Sequence, residues 1–198
     1  MPAELFALLL LAQAPPPPPM LPPASAVTTN AEPVPPAVAD LPNLTMIYYD
    51  VAGRERDTVR RRIDQNHLVD ANDGRRVHAV TRYDFRTQWQ TMNGQCLPAT
   101  AEATLHLSIT MPRAIHYVEM SQREQQRWDR YWNQLLLHER NHALSAVRAL
   151  PLLQQMLRSA RDCAAMEAAA QAVFNRVAQI NATYDQRTNH GQREGIVY

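Results

Sequence analysis

Two hydrophobic periods divide the chain. From His78 to Trp89, Ala79, Thr81, Tyr83, Phe85, Thr87 and Trp89 fall on one side and mostly polar residues on the other, the pattern of a half-buried strand. The alternation resumes after Asn93-Gly94, with Ala101, Ala103, Leu105, Leu107, Ile109 and Met111 on one face against Glu102, Thr104, His106, Ser108 and Thr110. Asn-Gly suits a tight hairpin turn, so the two segments predict an antiparallel pair with one face packed and one wet. Thr45 to Val51, β-branched and aromatic and followed by Gly53, predicts another strand. Val59 and Ile63, four residues apart within Glu55 to His67, predict a short amphipathic helix.

From Ser121 the period lengthens. Ser121 and Glu124 have the spacing of a capping box, and Trp128, Tyr131, Trp132, Leu135, His138, His142, Ala146 and Ala149 follow at steps of three and four. This predicts a long helix with an inward stripe, kinked or ended at Pro151. A second helix is predicted to open near Ser159 or Asp162, to carry Met166, Ala170, Val173, Val177, Ile180 and Tyr184 as its stripe, and to stop at or before Gly191. The fold class expected is α+β, a small antiparallel sheet packed on a helical hairpin.

Composition adds the context. At 198 residues the chain has room for one domain and its tails. A formal net charge of +1 gives no electrostatic footprint for nucleic acid or for an anionic membrane. The apolar run Leu5 to Leu11 followed by Ala12-Gln13-Ala14 has the form of an export signal over residues 1–14, although Glu4 stands where a positive charge is usual. That run is too short to span a bilayer. Residues 15–42 hold most of the prolines, five of them consecutive at Pro15 to Pro19, and read as a linker ahead of one domain at 43–198. In an exported chain the two cysteines, Cys96 and Cys163, suggest one disulfide.

The chemistry concentrates in His138-Glu139-Arg140-Asn141-His142. Histidines four apart on a helix share one face, where both rings can hold one metal ion, and the adjoining glutamate is placed to act as a general base. A catalytic zinc takes three protein ligands and keeps a position for water. Two inward histidines beside Leu135, Leu136 and Leu137 are costly to bury unless something such as a metal satisfies them. If the helices turn near residue 160, His138 to His142 lie opposite a region close to Asn181, Tyr184 and Asp185, with His190 just beyond. His190 is the favoured third ligand, against Asp185 or no third protein ligand. Asp185 would otherwise orient an imidazole, and Tyr184 or Arg187 would stabilise an oxyanion. His67, His78, His106 and His116 lack ligand spacing.

Several motifs together resemble a bacterial family of predicted secreted zinc-dependent proteases catalogued as domain of unknown function 922. They are Tyr49-Asp50-Val51-Ala52-Gly53, His78-Ala79-Val80-Thr81 leading to Trp89, Gly94-Gln95-Cys96, the HExxH at His138, and the closing run Tyr184 to Gly191. The resemblance implies an exported, periplasmic or secreted zinc (Zn2+) protein with peptidase activity on a peptide or protein substrate, and it adds weight to His190. Two rivals remain: a zinc-holding envelope protein without catalysis, and a helical interaction module presenting Trp128, Tyr131 and Trp132 to a partner.

Overall fold

The computed structural model describes residues 34–66, 68–70 and 73–198. The expected export signal, the linker up to residue 33 and His67 lie outside the described residues. The elements follow the two periods. Strands β1 (Leu44–Val51), β2 (Val80–Met92) and β3 (Gln95–Ala114) form one sheet, with α1 (Arg56–Asp64) between the first two. Helices α2 (Gln122–Ser159) and α3 (Cys163–Thr188) complete the fold.

β3 is the central strand, in the order β1-β3-β2. β2 and β3 pair antiparallel through Asn93-Gly94, whose φ values of 51° and 78° are the left-handed pair a two-residue hairpin needs. β1 pairs parallel to β3, from Leu44 opposite Leu107 to Val51 opposite Ala114. The sheet is therefore mixed, antiparallel in its hairpin half. Alternation along a strand reports which face is buried and not the direction of its neighbour, so the β1 pairing had no signal.

The face assignments follow the alternation. Ala101, Leu105, Leu107, Ile109 and Met111 are buried, and Tyr83, Phe85 and Thr87 stand opposite Leu107, Leu105 and Ala103 on the same face. Arg82, Asp84, Arg86 and Gln88 are exposed. On this packed face lies α2, buried along Trp128, Tyr131, Leu135, His138, His142 and Ala146. Trp128 and Tyr131 belong to the core, and the Trp132 indole donates to the Pro112 carbonyl at 3.0 Å, so these aromatics hold the fold together. Val59 and Ile63 anchor α1.

Three helical details depart from expectation. α2 runs through Pro151 to Ser159. Proline forfeits one helical hydrogen bond, but Leu153 and Leu157 are fully buried beyond it and Gln154 bonds the β3 backbone at Ala101 and Ala103. Tertiary packing outweighs the local cost. The α3 stripe runs Met166, Ala169, Val173, Val177, Asn181, Asp185 and Thr188, whereas Ile180 is 41% exposed. Its C-terminal half is thus rotated by one residue from the apolar reading. Finally, packing reaches back into the proline-rich stretch, where Val38 and Leu41 are buried and Asp40 pairs with Arg140 at 2.7 Å.

α3 opens on Asp162, which accepts from the Ala165 N–H at 2.7 Å, an N-cap that satisfies one free donor. A disulfide joins Cys163 in its first turn to Cys96 at the start of β3, across a separation of 67 residues. Closing a loop of that length restricts the unfolded chain by about 4 kcal/mol in the loop-entropy account. The double variant Cys96→Ser/Cys163→Ser should therefore lose about that much stability in urea titration, and dithiothreitol should lower the midpoint of the parent chain toward the same value.

Candidate metal centre

The α2/α3 pairing carries a polar seam in its buried face. Ser145 donates to Asn181 Oδ1 at 2.7 Å, one turn beyond His142. Next along the seam, Asp185 Oδ1 stands 3.0 Å from His142 Nε2 and 3.1 Å from His138 Nε2, and the two Nε2 atoms are 3.2 Å apart. His138, His142 and Asp185 are 5%, 8% and 4% exposed. The HExxH face of α2 and the rotated stripe of α3 meet at one point.

Three donor atoms at mutual distances near 3.1 Å form a triangle of the size that metal ligation requires. Bonds of about 2.0–2.1 Å in a tetrahedral shell separate ligand atoms by roughly 3.3 Å. The donor chemistry agrees. His138 Nδ1 lies 2.7 Å from Glu194 Oε2; a carboxylate only accepts, so Nδ1 carries a proton, and Nε2, turned toward Asp185 Oδ1, is the atom left to bind either a second proton or a metal ion. Two imidazole nitrogens and a carboxylate oxygen converging in a buried space are satisfied by a cation or by shared protons, and these residues fit a metal ion.

The protonation equilibria follow from the same crowding. Burial alone would lower both imidazoles, but Asp185 at hydrogen-bond distance and the charge of Glu139 outweigh it and raise His138 and His142 above the usual histidine range. Burial would raise the Asp185 carboxyl, yet the two imidazoles hold it well below the carboxylate range. Without a cation, the site gathers protons instead.

Glu139 is 4% exposed. The Thr81 hydroxyl lies 2.7 Å from its Oε2 and 3.0 Å from its backbone carbonyl. Thr81 reaches it because Thr81 pairs with Ile109, a position on the helix-facing side of the sheet. Burial raises the Glu139 carboxyl, opposed by His142, His138 and the Thr81 bond. Thr81, Tyr83, His138, Glu139, His142 and Asp185 line one cavity of about 130 Å³.

His190 lines this cavity too, but with its Nδ1 3.8 Å from Asp185 Oδ1 and its Nε2 3.0 Å from Asp73 Oδ2. It stands beside the three-atom triangle; its other near neighbours among metal-binding groups are Asp70 and Asp73. Tyr184 stacks on the His138 ring at 4.9 Å, and its hydroxyl donates to Glu194 Oε1 at 2.7 Å. Arg187 is not brought to the triad; it lines a separate groove with Arg148 and Arg176. Thr81 and Glu194 escaped the sequence reading. Thr81 was visible only as a packed-face residue, and Glu194 follows three left-handed residues, Asn189, His190 and Gly191, where no period survives.

The sequence model of the family described as "Bacterial protein of unknown function (DUF922)" matches residues 46–191. The chain belongs to this family. The match spans the sheet, both long helices and the triad, so the HExxH turn and Asp185 are part of the DUF922 domain here. No curated protein and no solved structure matches the chain.

The raised imidazoles give a pH signature with a definite sign. A histidine whose folded pKa exceeds its unfolded value stabilises the fold at pH below about 6.5, and this contribution fades as pH rises through the higher folded value. With chelator present, the urea midpoint should therefore fall as pH rises above about 6.5, and Asp185→Asn should flatten that decline.

Proposed function

We propose that this DUF922 chain is an exported zinc-dependent peptidase, with His138, His142 and Asp185 holding the ion and Glu139 acting as general base. One observation carries the reading: three mutually facing candidate ligand atoms, 3.0–3.2 Å apart, beside a buried glutamate one residue after the first histidine. The set of two nitrogens and one oxygen is a common catalytic zinc combination, leaving a position open. Asp185 serves better than His190 as third ligand because its Oδ1 already touches both Nε2 atoms, while His190 is engaged with Asp73.

A zinc ion in that set supplies a water of lowered pKa and a Lewis acid for a carbonyl oxygen. Everything else falls to side chains of this chain. Thr81 fixes one oxygen of Glu139, and the other is available to take a proton and pass it to a leaving amine. Burial, which raises the Glu139 carboxyl, favours a group that holds the proton between those events. His190, 16% exposed at the cavity wall, is placed to meet substrate.

The fold supports an extended peptide as substrate. β2 is an edge strand, and Val80, Thr81 and Tyr83 at its beginning line the cavity. A chain added along that edge gains main-chain hydrogen bonds and arrives in a fixed register. Export is supported by the apolar run at Leu5 to Leu11 and by the Cys96–Cys163 disulfide, which suits an oxidising compartment. Among the described residues no helix is long and apolar enough to cross a membrane.

Purified protein should carry about one zinc per chain by elemental analysis, lost in His138→Ala and in Asp185→Asn and retained in His190→Ala. Glu139→Gln should keep the metal while hydrolysis of fluorescently labelled casein drops at least about 100-fold. Folded protein that takes up no zinc would end the peptidase reading. Zinc at full occupancy with no hydrolysis above the Glu139→Gln background would make the site a metal holder.

A further inference from the structure

Residues 192–198 lie beyond the segment matched by the family, and they do not trail away from the domain. Asn189, His190 and Gly191 have φ of 51°, 50° and 78°, and this left-handed run reverses the chain at the end of α3. The reversal is tight: a Cβ on Gly191 would stand 2.1 Å from Ile196 Cδ1 and 3.3 Å from His138 Nδ1. The strand of chain that follows then retreats along α2 about one turn at a time. Glu194 meets His138 at 2.7 Å, and Gly195 lies against Gln134, whose Nε2 would be 2.9 Å from an added Cβ. Tyr198 packs edge-on to Tyr131 with ring centres 5.1 Å apart, and its hydroxyl donates to Glu124 Oε1 at 2.6 Å. Ile196 and Tyr198 are 7% and 5% exposed, so the segment is pinned at two buried side chains.

The pinning delivers a carboxylate held at both oxygens. Glu194 Oε2 faces His138 Nδ1, and Oε1 accepts from Tyr184, whose hydroxyl in turn accepts from Asn141 at 2.8 Å. Tyr184 also stacks on the His138 ring. The ring is thus fixed in plane by stacking and in protonation by Glu194.

We propose that residues 192–198 are a strap that seats Glu194 as a positioning residue, fixing His138 with its Nε2 lone pair turned toward Asp185 and His142 and thereby setting the metal affinity of the site. The proposal rests on the metal reading of that triad. A carboxylate behind a ligating histidine raises the basicity of the ligand and fixes its tautomer, and losing such a partner costs roughly 10–100-fold in metal affinity.

The test is zinc affinity of the full chain, measured by competition with a chromophoric chelator at neutral pH, beside the urea midpoint of the metal-free protein. Glu194→Ala should weaken zinc binding by roughly 10–100-fold. Glu194→Gln, which keeps the size and an acceptor oxygen but loses the charge, should fall between it and the parent. Arg193→Ala, on the same strap but bonded only to the Arg187 carbonyl at 2.8 Å, should keep parental affinity. Because the alanine variant could release the strap, the glutamine variant decides. If its metal-free stability and its zinc affinity both equal the parent's, Glu194 is a surface acid and the proposal is wrong. If it loses stability without losing affinity, the strap is structural only, which also overturns the proposal. A parent chain that binds no zinc would instead bring down the metal reading itself.

Discussion

The interaction on which the rest depends is the meeting of one carboxylate oxygen with two imidazole nitrogens between α2 and α3. Each group is nearly dry, and burying an unpaired charge costs several kcal/mol. Asp185, His138 and His142 are tolerable there only together. The helical hairpin is built to hold them: Ser145–Asn181 on one side and Asn141–Tyr184 on the other lock the register of the helices. A slip of one residue in α3 would bring Tyr184 or Gln186 inward and leave both imidazoles without their acceptor.

The sheet's contribution to the site is equally specific. Its alternation puts Thr81 on the packed face, and the antiparallel register with Ile109 sets it over the HExxH turn. The same hydroxyl that closes the sheet-helix seam therefore fixes the Glu139 carboxyl. β3, as central strand, also receives the disulfide to α3 and the Gln154 contacts from the far half of α2. The two helices are tied to one strand at the end remote from the site.

Much of this was legible in the residues. The β2–β3 hairpin, its turn and its packed face followed from strict alternation, and the inward histidines followed from the three-four spacing of α2. The departure in α3 has a plain cause. Asn181 and Asp185 sit at inward positions, but a polar residue on a buried stripe looks like one on the outer face, so the apolar Ile180 and aromatic Tyr184 drew the stripe one residue aside. His190 stood ahead of Asp185 on other grounds, its place beside the Gly191 turn and the closing run Tyr184 to Gly191. Read forward from Met166 at steps of three and four, Val173, Val177, Asn181, Asp185 and Thr188 form one line, and its change from apolar to polar marks where the helix enters the site. Pro151 misled for a different reason: a helix pinned by buried leucines on the far side absorbs a missing bond.

Glu194 was beyond any such reading, and the reason bears on how the site is controlled. Periodicity reports elements that bury a face, whereas residues 192–198 bury single anchors after a left-handed reversal. Of the strap's two anchors, Ile196 lines the cavity of the candidate site, whereas Tyr198 is secured at Glu124, in the first turn of α2 and several turns from His138. Glu124 also pairs with Arg127, and the Ser121 hydroxyl caps the same turn through the Glu124 N–H. The start of the helix that bears the histidines and the carboxylate that orients one of them are therefore secured by a shared residue. A change in helix capping would therefore act on the strap at Tyr198, with Ile196 as the second anchor between that contact and Glu194.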